Sequence, residues 1–334
     1  TRAADVLNTV QVNIGDNTMY GDNAKGATIN GDVFGGNNVA GSPKDNIYVD
    51  IYSTAHTSGN AFSALQTLAT ETDVLDTNDL AAIAAMDDAS RSGLYALSAV
   101  YGGGNKATVL PSAFGKTTSV TVHECSENTV MYVYGGGNAA DLGNASLDMN
   151  TNVTVKGGAI YQVYAGGNGA GTGNPGANIY GDASVTVESG AVNQVFGGSN
   201  SLGMVYGGSN VSFNYDATAS GCDLTTREVF GGGNHATAGD VTITIPCGTE
   251  GLVDVYGGAN EADIGTESDP KNVVINILGG DMQRVFGGNM SGGTIYGDVT
   301  VNVYGSNPGH TISEVFGGSN LGGNIELVNV VKTY

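Results

Sequence analysis

Short runs of strict apolar–polar alternation recur along this chain, and each has the two-residue period of a strand that buries one face. They read SVTVHE from Ser119, NVTVKGG from Asn152, SVTVES from Ser184, NVSFNY from Asn210, DVTITI from Asp240, NVVINI from Asn272 and DVTVNV from Asp298. Alternation places Val153 and Val155, Val185 and Val187, Val241 and Ile243, and Val299 and Val301 on the inner face. Thr154, Thr186, Thr242 and Thr300 fall on the outer one.

A second pattern is interleaved with the first: a valine, an aromatic, two or three small residues and usually an asparagine. It occurs as VFGGNN from Val33, VYGGGN from Val100 and Val133, VYAGGN from Val163, VFGGSN from Val195 and VYGGSN from Val205. It continues as VFGGGN from Val229, VYGGAN from Val255, VFGGNM from Val285 and VFGGSN from Val315, the last three valines standing thirty residues apart. A less regular third element, IYGD at Ile179 and Ile295 and MYGD at Met19, carries a Gly-Asp corner. Two to three short strands per coil of about thirty residues, joined by glycine and asparagine corners, predict an all-β fold, a parallel β-helix or β-solenoid of triangular section. Crossover preference makes it right-handed. Nine or ten coils stacked ~4.8 Å apart give a rod on the order of 45 Å long.

One segment breaks the pattern. Residues 53–92 lack the repeat and carry two amphipathic stretches, with Phe62, Leu65 and Leu68 in the first and Leu80, Ile83 and Met86 in the second. Thr77 or Asn78 is placed to cap the second. The expected organisation is therefore a single solenoid domain, 1–334, with a small helical insertion that shields a flank or an end or forms a binding lobe.

Composition agrees with a folded repeat chain. Of 334 residues, 55 are glycine and 6 proline, below the share that marks low-complexity disorder, and 40% are hydrophobic. Eleven basic against 32 acidic residues leave a net charge of −21, which repels nucleic-acid phosphates and anionic lipid and keeps a strand-rich rod soluble. No apolar run is long enough to insert in a membrane. The chain starts on Thr1, so targeting and anchoring parts are expected elsewhere. Cys125, Cys222 and Cys247 have neither zinc-site nor disulfide-framework spacing.

The candidate chemistry lies in the repeats. Asn105, Asn138, Asn168, Asn200, Asn234, Asn260 and Asn320 suit a stacked amide ladder at the corners. Phe34, Tyr101, Tyr134, Tyr164, Phe196, Phe230, Tyr256, Phe286 and Phe316 form a column with two compatible arrangements. Alternation from the inward valine turns the rings outward as a stripe on which sugars or a partner protein could stack, whereas a bend at the following glycines packs them as an internal stack. An ice-binding face would need two matched threonine columns. The second outer column is read as His123, Lys156, Glu188, Asn214, Thr244, Asn276 and Asn302, a poor lattice template. Asp141 and Asp263, in the similar corners GGGNAADLG and GGANEADIG, are the calcium candidates, although neither corner matches a calcium-roll or EF-hand loop. No other cofactor is indicated. His56, His123, His235 and His310 are scattered, and no HExxH or GxSxG occurs. Only Arg227 and Arg284 of the arginines fall in regular coils, so catalytic residues are not assigned.

The VYGGGN and VFGGGN copies interleaved with VTV strands resemble the repeats of bacterial cell-surface β-helix proteins of the adhesin-like kind. The resemblance covers most of the chain outside the insertion and implies an exported, extracellular, non-enzymatic structural or adhesive rod. The final coil, GGNIELVNVVKTY, lacks an obvious cap, so association of the chain with itself through solenoid ends is expected, together with binding of surface glycan or protein. The alternative is a carbohydrate-active β-helix enzyme, which would show at least two carboxylates within about 10 Å on one face.

Overall fold

Every alternating run forms a strand, because its β-branched residues fill one side of a pleat and its hydroxyls and amides hydrate the other. The computed structural model describes residues 4–15, 26–27, 29–54, 75–123, 128–170, 176–214, 223–304 and 311–332. The alternating runs make a ten-stranded parallel sheet in chain order: Val10–Ile14, Ile47–Ile51, Lys116–Val122, Met149–Val155, Ala183–Val187, Ser209–Phe213, Val241–Ile245, Val273–Ile277, Thr294–Val303 and Asn324–Lys332. The valine–aromatic runs make a nine-stranded parallel sheet: Val33–Phe34, Leu97–Tyr101, Thr129–Tyr134, Ala159–Tyr164, Gly190–Phe196, Leu224–Phe230, Leu252–Tyr256, Met282–Phe286 and Ile312–Phe316. Since the two sheets alternate along the chain and each strand pairs with its copy one coil away, the fold is a parallel β-solenoid. Its third side is a file of single-residue parallel bridges, Val109 to Leu142 to Ile179 to Val205 to Ala238 to Ile264 to Ile295.

The core is a set of columns. Val153, Val185, Val211, Ile243, Ile275 and Val301 are register partners, and all are buried in one cluster with the third-side file. Sequence alternation holds in this sheet but not in the other. There Val130 and Val133, Ile160 and Val163, and Val192 and Val195 all enter the same core although each pair is three residues apart. The aromatic that follows the second valine then points away from the valine core. At the next corner a Cβ on Gly197 would lie 2.2 Å from the carbonyl oxygen of Gly231, so only glycine lets successive coils approach this closely.

Three readings are corrected by the structure, two of them by strand register. The VYGGSN copy at Val205 lies on the third side, ten residues after the true coil valine Val195, and Tyr206 stacks on Tyr180 instead of joining the main aromatic column. Thr154 and Thr186 align with Ser212, Thr244 and Asn276, whereas Thr242 and Thr300 stand in the neighbouring file with Asn152, Ser184 and Asn210. Both outer files are thus short hydroxyls and amides across most coils. In the insertion, α1 (Thr77–Ala84) is capped by Asp76 in a capping box with Asp79, not by Thr77 or Asn78, and α2 (Asp88–Ser92) follows. Leu80 and Ile83 pack on Met131, Ala159, Tyr161 and Ala191, so α1 covers the outer flank of the nine-stranded sheet, while Met86 is only half-buried. Phe62, Leu65, Leu68 and the Met19 element lie outside the described residues.

Candidate functional site

The rings singled out as a stripe form a continuous stack. Phe34, Tyr101, Tyr134, Tyr164, Phe196, Phe230, Tyr256, Phe286 and Phe316 follow one another at centroid distances of 4.6 to 5.1 Å and within 14° of parallel. That spacing is the strand spacing, so the backbone itself sets the stack. Tyr134, Tyr164, Phe196, Phe230, Tyr256 and Phe286 are buried, while Phe316 in the last coil is 43% exposed. The rings point away from the valine core yet form a cluster of their own. No exposed stripe is presented along these buried positions, because side chains close over the column on both flanks.

One flank is the amide ladder. The Nδ2 of Asn105 donates to Asn38 Oδ1 at 2.9 Å, and the pattern repeats from Asn138 to Asn105, Asn168 to Asn138, Asn200 to Asn168, Asn234 to Asn200 and Asn260 to Asn234 at 2.8 to 2.9 Å. Met290 occupies the next rung, so Ser291 Oγ donates to Asn260 Oδ1 instead, and Asn320 Nδ2 reaches Tyr256 Oη at 3.3 Å. The ladder also satisfies phenols: the single hydroxyl proton of Tyr164 has Asn200 Oδ1 at 3.1 Å and Gln162 Oε1 at 3.0 Å as alternative acceptors. Burial pushes the Tyr134 and Tyr164 phenols well above their usual range and Tyr256 up to about 12.

The other flank is a polar file that the sequence reading missed: Tyr132, Gln162, Gln194, Glu228, Asp254, Arg284 and Glu314. Its signal was available, since each of these residues immediately precedes the valine of the valine–aromatic pair. Gln194 Nε2 donates to Glu228 Oε2 at 2.5 Å, and Gln162 donates to Gln194. Glu228 Oε1 pairs with Arg227 at 3.1 Å, while Asp254 is held by Arg284 through Nε at 2.8 Å and through Nη2, and by the Tyr256 hydroxyl at 3.4 Å. Glu228 and Asp254 are buried register partners on adjacent coils. The file therefore brings the carboxylates of Glu228, Asp254 and Glu314 and the guanidinium of Arg284 onto one face, and Arg227, the residue before Glu228, reaches into it. Glycoside cleavage uses a pair of carboxylates on one face, and Glu228 and Asp254 are neighbours there. Here all four carboxylate oxygens accept hydrogen bonds or ion pairs from the protein, which suits a coil clamp better than a base or nucleophile. Near it, Arg227 Nε donates to Asn193 Oδ1 at 3.0 Å, and the guanidinium of Arg91 lies 4.5 Å over the Tyr161 ring while its Nε donates to Ile83 O, a carbonyl of α1.

The remaining candidates are dispersed. Asp141 Oδ1 accepts the Asn178 amide at 2.8 Å and Asp263 Oδ1 the Thr294 amide at 2.7 Å, so each calcium candidate joins its coil to the next. No group of three or more His, Cys, Asp or Glu side chains able to hold a metal occurs among the described residues. His123 Nε2 lies 2.7 Å from Asp50 Oδ1 under the Tyr52 ring, and His235 Nδ1 lies 3.5 Å from Glu261. His56, His310, Cys125 and Cys222 lie outside the described residues, and Cys247 is exposed. Among the described residues no helix is long and apolar enough to cross a membrane. No family model, curated protein or solved structure matches this chain.

Proposed function

We propose that this chain is a non-enzymatic structural and adhesive module of an extracellular bacterial surface protein. The observation that carries the reading is the use to which the repeat is put. Its aromatic, its asparagine and the polar residue before its valine all enter coil-to-coil ladders, so the residues that recur most build a stiff rod. Such a rod presents loops and the non-ladder faces to a partner, and it needs no cofactor. A glycan and extracellular-matrix array tests this: binding to a surface glycan or matrix protein, with no turnover, is expected.

The enzyme alternative has one observation in its favour, the adjacency of Glu228 and Asp254. Cleavage in a polysaccharide panel, abolished in E228Q or D254N proteins that fold normally, would establish it over the adhesive reading. Self-association is part of the proposal. Parallel strands in register from coil to coil are the geometry by which one copy could stack on another. Sedimentation at rising concentration is expected to show larger species, and a strictly monomeric profile would count against it.

A further inference from the structure

The asparagine ladder repeats its backbone bonding as well as its side chains. At the regular rungs the amide of the asparagine and the amide of the residue after it both donate to the preceding coil. Asn138 and Ala139 donate to Gly104 O and Asn105 O, and Asn200 and Ser201 to Gly167 O and Asn168 O. Asn234 and His235 donate to Ser199 O and Asn200 O, and Asn260 and Glu261 to Gly233 O and Asn234 O. The Asn168 coil departs from this by one residue. Asn168 donates to Gly137 O, but the second bond, to Asn138 O, comes from Ala170 at 2.9 Å. Gly169 is therefore an extra residue in the corner, with a φ of +73° and no acceptor for its N–H among the described residues. A Cβ there would lie 2.2 Å from Leu202 O, so the position takes only glycine.

An asparagine is chemically labile where the next backbone nitrogen can reach its side-chain carbonyl carbon. Two things govern that approach. A following glycine has no Cβ to obstruct it, and a nitrogen whose N–H is not committed to a neighbouring coil is free to make it. Asn168 meets both conditions, and it is the only ladder asparagine followed by glycine. Asn200 and Asn234 are followed by Ser201 and His235, whose amides are committed at 2.8 and 2.7 Å. The Asn168 side chain is partly exposed, so water has access to it. Its Nδ2 donates to Asn138 Oδ1 and its Oδ1 accepts from Asn200 Nδ2, each at 2.8 Å, and a local opening of this one rung releases the group for reaction.

We propose that Asn168 is a self-modification site, converting without enzyme or cofactor to aspartate and isoaspartate. The Gly169 nitrogen attacks Asn168 Cγ and sheds its proton, the Cγ–Nδ2 bond breaks, and ammonia leaves. Water then opens the cyclic imide at either carbonyl, so a water enters and an ammonia departs, with no oxidant or reductant. The product loses the donor to Asn138 Oδ1 and sets a negative charge on the rung, which cuts the ladder in the middle of the rod. The site is independent of what the rod binds. To test it, the whole chain is aged at mildly alkaline pH in heavy-oxygen water, folded and, in parallel, in urea. Peptide mapping by mass spectrometry with electron-transfer fragmentation then reads aspartate and isoaspartate at each asparagine. Samples are taken at ten times the interval that half-converts Asn168 in urea. In the folded chain Asn168 is expected to be converted at least tenfold more than Asn138, Asn200, Asn234 or Asn260. Conversion no greater than at those four would overturn the proposal, because the urea sample proves the conditions sufficient. N168D, which carries the product side chain, is expected to unfold at lower urea than wild type, and aged wild type to acquire a population that unfolds with it. A midpoint equal to that of wild type would overturn the claim that the change cuts the ladder.

Discussion

The ring of Phe196 lies 4.6 Å from that of Phe230 and 6° from parallel, although 34 residues separate them in the chain and neither touches solvent. Each ring is sandwiched by its copies one coil away, so its burial depends on the neighbouring coils and not on its own. F196A should therefore cost about 3–5 kcal/mol, as for other buried aromatics. F316A, in a half-exposed ring, should cost less than half of that. Urea unfolding of the two variants checks the ratio; equal losses would mean that the stack adds nothing beyond single-coil packing.

Asn200 both donates to Asn168 and accepts from Asn234. An aspartate there keeps the acceptor and loses the donor, leaving Asn168 Oδ1 against a carboxylate. N200D should lose about 1–3 kcal/mol near neutral pH. Protonation restores an O–H donor, so the deficit relative to wild type should shrink as the pH falls below the ordinary carboxyl range, a trend visible in thermal melts at several pH values.

Arg284 holds the buried Asp254 carboxylate, and the contact in turn raises the Arg284 pKa. Removing the cation alone strands a buried charge, whereas removing both does not. R284A is expected to destabilise by about 1–3 kcal/mol, with the D254A/R284A double variant less destabilised than the sum of the single ones. Additive effects in this cycle would refute the clamp.

Ile83 is fully buried between α1 and the sheet flank. I83A should free residues 76–92 to exchange amide hydrogens faster while the strand Ala159–Tyr164 keeps its protection. Loss of protection in both would make the insertion part of the solenoid's cooperative unit.

The solenoid was legible because its signals are local and repeated: Val153, Val185 and Ile243 take the inner face that alternation assigns them, and the Gly-Asn corners fall one per coil. Register was less legible. Thr242 and Thr186 look equivalent within their runs, yet pairing sets them in different files, because coil length varies at the corners and a two-residue slip leaves alternation unchanged. The placement of the aromatic column turned on the three-residue spacing between Val130 and Val133, which alternation does not anticipate. The Glu228–Asp254 adjacency was missed because each residue is an ordinary strand-face polar residue until its coil neighbours are known.

The central claim is that the repeated aromatics hold the coils together instead of facing a ligand, and tyrosine ionisation tests it most directly in a chain without tryptophan. Burial raises the phenols of Tyr101, Tyr134, Tyr164 and Tyr256 above the ordinary tyrosine value of about 10. A group raised in the folded state contributes stability that is complete below its unfolded pKa and is lost as the pH climbs through the folded one, so stability should fall from about pH 10 upward. Spectrophotometric titration with circular dichroism in parallel should show only part of the sixteen tyrosines ionising while the fold persists, the rest appearing together with cooperative unfolding. Reversible ionisation of all sixteen near pH 10 with the sheet signal intact would contradict the account.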